Sequence, residues 1–316
     1  MNMKWIAAAS LCGFMAATAA HAADTKVEIG FSGWTGFAPL TLAKEAGIFE
    51  KNGLDVTLVK IPQASRHLAL ASGDIQCAAT TTETFIVWAA AGVPTTQIFQ
   101  LDQSHGADGI VVRNDISSFA DLKGKTIAAS APGTSPYFLL AYMLKQNGMT
   151  MDDVKVVNLE PGPAAQAFLA GQNDAAMTYE PYLSSVRDAG DAGKIMATTV
   201  DYPAVIDTFG CTPSFLADNP DAAKALATSY YQALDMIAAE PEKSYEIMGA
   251  DVNQTADEFK ASAEYLEWQD RDAAIAFFDG PYKQFSEDAA QLLLDAGVIK
   301  EIPDLTVLAD PSYIQQ

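Results

Sequence analysis

Histidine and cysteine are scarce in this chain, with three of each in 316 residues. Cys12 and His21 fall in an N-terminal stretch treated below, which leaves His67, His105, Cys77 and Cys211. A hydrolase or metalloenzyme needs a nucleophile beside a base, or a cluster of metal ligands. No CxxC, HExxH or GxSxG pattern occurs, and GTSPY (133–137) fails the last of these. Two separate histidines are more often surface or core residues than a working pair. These shortages argue against an enzyme, and no cofactor or metal is expected.

Positive charge is thin as well. Nineteen Lys and Arg stand against forty Asp and Glu, a formal charge of −21. Such a chain repels nucleic acid and anionic lipid. The plain reading of the acidity is an exported protein kept in solution. Long apolar runs are confined to the first residues, where Lys4 precedes IAAASLCGFMAATAA and Ala20-His21-Ala22 forms a small-x-small cleavage pattern. That run is short for a bilayer, and nothing later approaches about 20 uncharged apolar residues. The residues before Cys12 match a lipoprotein signal poorly. Residues 1–22 therefore read as a cleaved signal peptide and the protein as periplasmic. Cleavage removes one lysine and leaves a more acidic chain, long enough for one large or two modest domains.

Cys77 and Cys211 lie in strand-like contexts, DIQCAAT and TFGCTPS, far apart in sequence. A disulfide, which an oxidising compartment permits, and two buried thiols both remain open.

The body of the chain alternates short apolar strands with helices. Strands are expected at 27–31, 55–61, 75–80, 95–101, 109–113, 125–130, 154–159 and 175–179. The helical patterns between them often end in Gly, a common helix stop. This order predicts parallel, doubly wound sheets covered on both faces. It also repeats: LALASGDIQCAATTTETF (68–85) and QAFLAGQNDAAMTYEPYL (166–183) share one plan. The repeat points to two α/β lobes. The stretch 206–216 reads as a return path, and the chain beyond about 218 is almost wholly helical. We therefore expect a first lobe in two parts, 23–107 and 208–316 with the C-terminal helices, and a second lobe, 108–207, joined by a two-crossing hinge.

Ligands in such folds gather outside the carboxyl ends of the strands. The loops there are GWTG (33–36), PQAS (62–65), TTTE (80–83), APGTSPY (131–137), EPGPAA (160–165) and YEPY (179–182). Glycines around Trp34 display its ring, as one wall of a pocket or folded back on the following helix. Gln63, Thr82 and Ser135 can bind a ligand or cap their own helices. Glu83, Glu160 and Glu180 bring carboxylates, which the helix dipole also explains, with Asp108 and Asp207 at the two crossings. Trp88 reads as core, and Trp268 fits either the cleft mouth or a helix anchor. Arg66, His67 and His105 apart, these loops lack the guanidinium fork of a dedicated sulfonate or phosphate site. Acids with flat rings suit a cationic nitrogen, zwitterions included.

Several long segments carry a resemblance: PLTLAKEAGIFEKNGLDVTLV (39–59), LALASGDIQCAATTTE (68–83), GADGIVVR (106–113), DLKGKTIAASAPGTSPYFLL (121–140), AAQAFLAGQNDAAMTYEPYLS (164–184) and SFLADNPD (214–221). In this order they resemble the periplasmic substrate-binding proteins of ABC importers in the nitrate/sulfonate/taurine group. The resemblance implies a type II-like two-lobed periplasmic-binding-protein fold and hinge closure on a small solute. It further implies a monomer that delivers its ligand to a membrane permease with its ATPase. Carried onto this chain, the ligand positions are Trp34, Thr35, Gln63, Thr81, Thr82, Glu83, Thr134, Ser135, Tyr137 and Glu180, with Asp108 and Asp207 at the hinge. Nitrate and sulfonate binders resemble one another in placing cations near the ligand, whereas acids stand in several such loops here. That departure favours taurine, a pyrimidine or a guanidino compound over nitrate or a simple alkanesulfonate. A pyrimidine-synthase-like enzyme and a ligand-sensing module are the rival uses of the same fold.

Overall fold

A computed structural model describes residues 24–315. The expected signal peptide, 1–22, lies outside the described residues. The first sheet takes β1 (Thr25–Phe31), β2 (Leu54–Lys60), β3 (Cys77–Thr81) and β4 (Thr96–Ser104) before the chain crosses over. The second sheet holds β5 (Asp108–Val112), β6 (Thr126–Ala129), β7 (Lys155–Asn158), β8 (Ala175–Tyr179) and β9 (Lys194–Thr198). The chain then returns with β10 (Ile206–Cys211) and later β11 (Leu266–Trp268). Strand order is β11-β4-β10-β3-β1-β2 in one sheet and β7-β6-β8-β5-β9 in the other.

Helices α1 (Ala38–Glu45), α2 (Ile48–Lys51), α3 (Gln63–Ser72) and α4 (Thr82–Ala90) connect the first sheet. Helices α5 (Ser135–Gln146), α6 (Pro161–Leu169) and α7 (Tyr182–Asp188) serve the second. The C-terminal third supplies α8 (Pro213–Asp218), α9 (Pro220–Ala239), α10 (Pro241–Asp251), α11 (Ala256–Ala263), α12 (Arg271–Phe278) and α13 (Pro281–Asp295).

Burial follows residue type. β3, CAATT, is buried along its whole length because its small side chains let helices close on both faces. β2, LDVTLVK, lies at the sheet edge and alternates buried Leu54 and Val56 with exposed Asp55 and Thr57.

The sheets are mixed rather than wholly parallel. β1 runs parallel to β2 and β3, and β6 parallel to β7 and β8. The strands that enter the second lobe and return from it, β5 and β10, run antiparallel to their neighbours. A chain that leaves one lobe at the edge facing the other, then comes back, must reverse direction there. Strand–helix alternation carries no sign of that reversal, so period and composition alone suggested a parallel sheet.

The β3–β10 ladder sets Cys77 opposite Cys211, and the two form a disulfide across a Cα–Cα distance of 3.9 Å. Helix α9 buries Leu226, Ala227 and Tyr230 in the first lobe's core beside Phe99 and Phe209. Helix α13 does not stay with that core: Ala289, Ala290, Leu292 and Leu293 share one buried cluster with Leu139 and Leu140 of α5 and Ile86 of α4. The last long helix thus spans both lobes, although its place in the sequence suggested the first lobe alone. The two crossings are tied together, since the hydroxyls of Ser104 and Thr199 lie 2.7 Å apart and Gly106 N–H donates to Thr199 Oγ1 at 2.7 Å.

Candidate functional site

Strand ends and helix starts from both lobes border a small cavity of about 20 Å³. Trp34, Phe37, Gln63, Thr81 and Asp207 line it from the first lobe, and Asp108, Ser135 and Tyr179 from the second, with Ser32 and Val205. Its position, between the lobes and past the ends of β1, β3 and β8, is where an α/β fold collects ligands.

Trp34 is built in from below. It follows β1 and is 4% exposed; its indole N–H donates to Asp102 Oδ1 at 3.1 Å. Its ring meets Tyr179 edge-on with centroids 5.3 Å apart. Gly36 makes this possible, because a Cβ there would lie 2.3 Å from both Trp34 Nε1 and Asp102 Oδ2. The Trp268 indole N–H holds the Gly36 carbonyl at 3.0 Å, which fixes the turn and answers where that ring points. Trp88 is core, packed edge-on against Phe85.

Gln63 is a second keystone. Its amide nitrogen donates to Thr80 (2.8 Å), Thr81 (3.3 Å) and Thr84 (2.9 Å), while its Oε1 accepts from Ser135 N–H of the second lobe at 3.2 Å. Thr35 N–H reaches the Glu180 carbonyl at 3.5 Å. With the Trp34–Tyr179 contact, these bonds draw the lobes together over the cavity.

The cavity is backed by acid. Asp108 and Asp207 line it; Glu83 lies behind Thr81, which donates to it, and Asp102 stands opposite Asp207 in the β4–β10 ladder. All four are buried. Glu83 Oε2, Asp102 Oδ2 and Asp108 Oδ2 have no hydrogen-bond partner among the described residues. Burial pushes Asp108 up to about 7 and Glu83 up to about 8. Asp207 is driven far above the usual carboxylate range by burial and then by the charge of its neighbour Asp102. An ionised carboxylate without a partner in such a setting is costly, so burial favours the protonated form across the cluster.

No Lys or Arg lines the cavity among the described residues. Arg66 is fully buried, but its guanidinium donates to the carbonyls of Ile61 and Ala79. No group of three His, Cys, Asp or Glu among the described residues is placed to hold a metal ion.

Several expected ligand residues are used elsewhere. The Glu180 carboxylate accepts from Ser184 N–H at 3.0 Å and pairs with Arg187 at 2.9 Å, so it serves the start of its own helix α7. Thr134 donates its hydroxyl to the Ala131 carbonyl at 2.7 Å. Tyr137 is half-buried on α5, away from the cavity wall, and the charge that acts on it is Asp152. Thr35 and Thr82 are buried behind the wall with unpartnered hydroxyls. Asp102 and Tyr179 were not anticipated. An Asp inside the apolar strand TTQIFQLDQ was the available signal for the first, because strands rarely bury acids without a use.

Two α/β lobes, tied by paired crossings and meeting over a small polar cavity, define the periplasmic-binding-protein fold of solute-binding proteins. The chain belongs to the NMT1/THI5-like family, whose model matches residues 34–244. It is 28% identical over 255 residues to a Brucella abortus (strain 2308) protein named as a binding protein, covering 78% of each chain. It is 27% identical over 287 residues to the taurine-binding periplasmic protein of Escherichia coli (strain K12), covering 85% of this chain and 86% of the other. The solved alkanesulfonate-binding protein from Xanthomonas axonopodis pv. citri superposes with a TM-score of 0.78 at 20% identity, over 92% of this chain and 99% of that one.

Proposed function

We propose that this protein captures a small solute bearing a protonated nitrogen in the periplasm and delivers it to the permease of an ABC importer. One observation carries the choice of solute: a small cavity between the lobes walled by acids and aromatic rings, with no cationic side chain on its surface among the described residues. Asp108 and Asp207 receive the N–H donors, while Trp34 and Tyr179 supply ring faces and edges. Ser135 and Thr81 complete the hydrogen bonding. A charge-assisted hydrogen bond contributes about 1.5–3 kcal/mol and a cation–π contact about 0.5–2 kcal/mol. A handful of these reaches micromolar affinity, about −8 kcal/mol.

Capture proceeds by hinge closure. The first lobe offers Trp34, Gln63 and Asp207 to the incoming solute, and rotation about the crossings at 105–107 and 199–205 brings Asp108, Ser135 and Tyr179 onto it. The Gln63–Ser135 and Thr35–Glu180 bonds form only when the lobes meet, so they favour the closed state that a permease recognises. A cleaved signal peptide over 1–22, a monomeric binding protein and a permease-bound ATPase complete the reading. The test is a thermal-shift panel of amines, guanidines, taurine, pyrimidines, alkanesulfonates and nitrate. A true ligand at a hundredfold excess over its Kd stabilises by about 2.7 kcal/mol. Shifts with nitrogen-free anions alone would overturn the proposal.

A further inference from the structure

The helices that open on the cleft have lost their usual taste for anions. A helix start offers free N–H groups to negative charge. At α4, the first turn carries Glu83, whose carboxylate opposes an anion there. At α5, the Ser135 N–H is bound to Gln63 and the next residue, Pro136, has none. At α6, the first three positions are Pro161, Gly162 and Pro163, so two of three N–H groups are missing at the cleft mouth, beside Glu160. Lys60, also at that mouth, is tied to Asp251 at 2.9 Å. The guanidinium of Arg66 is turned to backbone carbonyls.

The acceptor side is the reverse. Asp108, 3% exposed and on the cavity wall, has an oxygen without a partner among the described residues, and so do Glu83 and Asp102 behind it. Main-chain donors at α5 and α6 are occupied or deleted, which leaves the Ser135 hydroxyl, among the described residues, as the free donor on the wall beside the free carboxylate oxygen of Asp108.

Resting on the cationic-nitrogen reading above, we propose that the solute carries no anionic group: the cleft takes a small organic cation, an amine, amidine or guanidine, and rejects zwitterions. A zwitterion brought in by its nitrogen would place its negative end near the acids or at a helix start stripped of donors.

Matched pairs test this by calorimetry on the purified full chain at pH 8: ethylamine against taurine, agmatine against arginine, and methylguanidine against guanidinoacetate. We expect the member without the acid to bind at least tenfold tighter in every pair that binds. A zwitterion that equals or beats its partner overturns the proposal and leaves the cationic-nitrogen reading in place. Ethanesulfonate is the nitrogen-free control, and its binding alone, or binding of no compound in the panel, counts against both. Pro163→Ala restores one N–H at α6. It should raise zwitterion affinity about two- to fivefold, the scale of a helix-terminus charge effect, and leave cation affinity unchanged. An unchanged zwitterion affinity in that variant removes the helix-start argument.

Discussion

The Trp34 indole N–H donates to Asp102 Oδ1, with the Cα of Gly36 wedged against both groups. The bond joins the loop after β1 to the middle of the sheet and orients the ring that walls the cavity. Gly36→Ala sets a methyl 2.3 Å from Trp34 Nε1 and Asp102 Oδ2, which neither packed group can yield without breaking the bond. We expect a loss of about 1–3 kcal/mol in stability by denaturant unfolding. Indole fluorescence should shift to the red, and solute affinity should fall at least tenfold. A variant with wild-type fluorescence and affinity would show that the wedge does not matter.

Asp108 and Glu180 separate a ligand acid from a structural one. Asp108→Asn removes a charge from the cavity wall, and the affinity of a cationic solute should drop about ten- to a hundredfold, the worth of a charge-assisted hydrogen bond. The fold should hold or gain stability, because a buried unpaired acid has gone. Glu180→Gln weakens the pair with Arg187 instead. It should cost stability, about 1–3 kcal/mol, while affinity stays within about threefold. Calorimetry paired with thermal unfolding checks both, and the opposite pattern would return Glu180 to the binding site.

Acidity should stabilise the ligand-free protein and weaken its grip. Asp108 rises to about 7 and Glu83 to about 8 in the folded state, both mainly through burial, and Asp207 rises further. An acid raised on folding holds its proton more tightly in the native state than in the unfolded chain. That stabilisation is fully present below the unfolded values near 4 and is lost as pH climbs through 7 to 8. The ligand-free Tm should therefore fall between pH 6 and 9. A cation favours the ionised form, so its affinity should rise over the same interval, by up to about tenfold per pH unit for each proton released. Calorimetry in buffers of different ionisation enthalpy reads the proton directly, and a flat affinity from pH 6 to 8.5 would refute the coupling.

The disulfide between Cys77 and Cys211 closes a span of 134 residues that contains the whole second sheet. Replacing both cysteines by Ala should cost about 2–4 kcal/mol, since the unfolded chain regains the freedom of that loop. Solute affinity should change little, because the β3–β10 ladder still sets Thr81 opposite Asp207. Equal unfolding midpoints for the variant and the oxidised wild type would show the bridge to be idle.

Much of the site was legible before any coordinates. Gly33 and Gly36 around Trp34 announced a turn that presents a ring, and Gln63, Thr81 and Ser135, named from the loops after strands, line one cavity with Asp108 and Asp207, named from the crossings. What misled was shared vocabulary. Glu180 in YEPY and Glu83 in TTTE look alike as letters. One pairs with Arg187 seven residues on, and the other lies behind the cavity wall with a free oxygen. No local pattern separates a capping acid from a ligand acid, because the difference is which charge stands nearby in space.

By itself, the order of residues determined the alternation of strand and helix, the two related lobes and the excess of acid. Each of these comes from local propensity, apolar periodicity or composition, which act along the chain. Tertiary structure decided the rest: the union of Cys77 with Cys211, the antiparallel crossing strands, the reach of α13 over both lobes, and the meeting of four acids drawn from β3–α4, β4, β5 and β10. Those outcomes depend on contacts between residues distant in sequence, and their energies exist only once burial has removed the water between them.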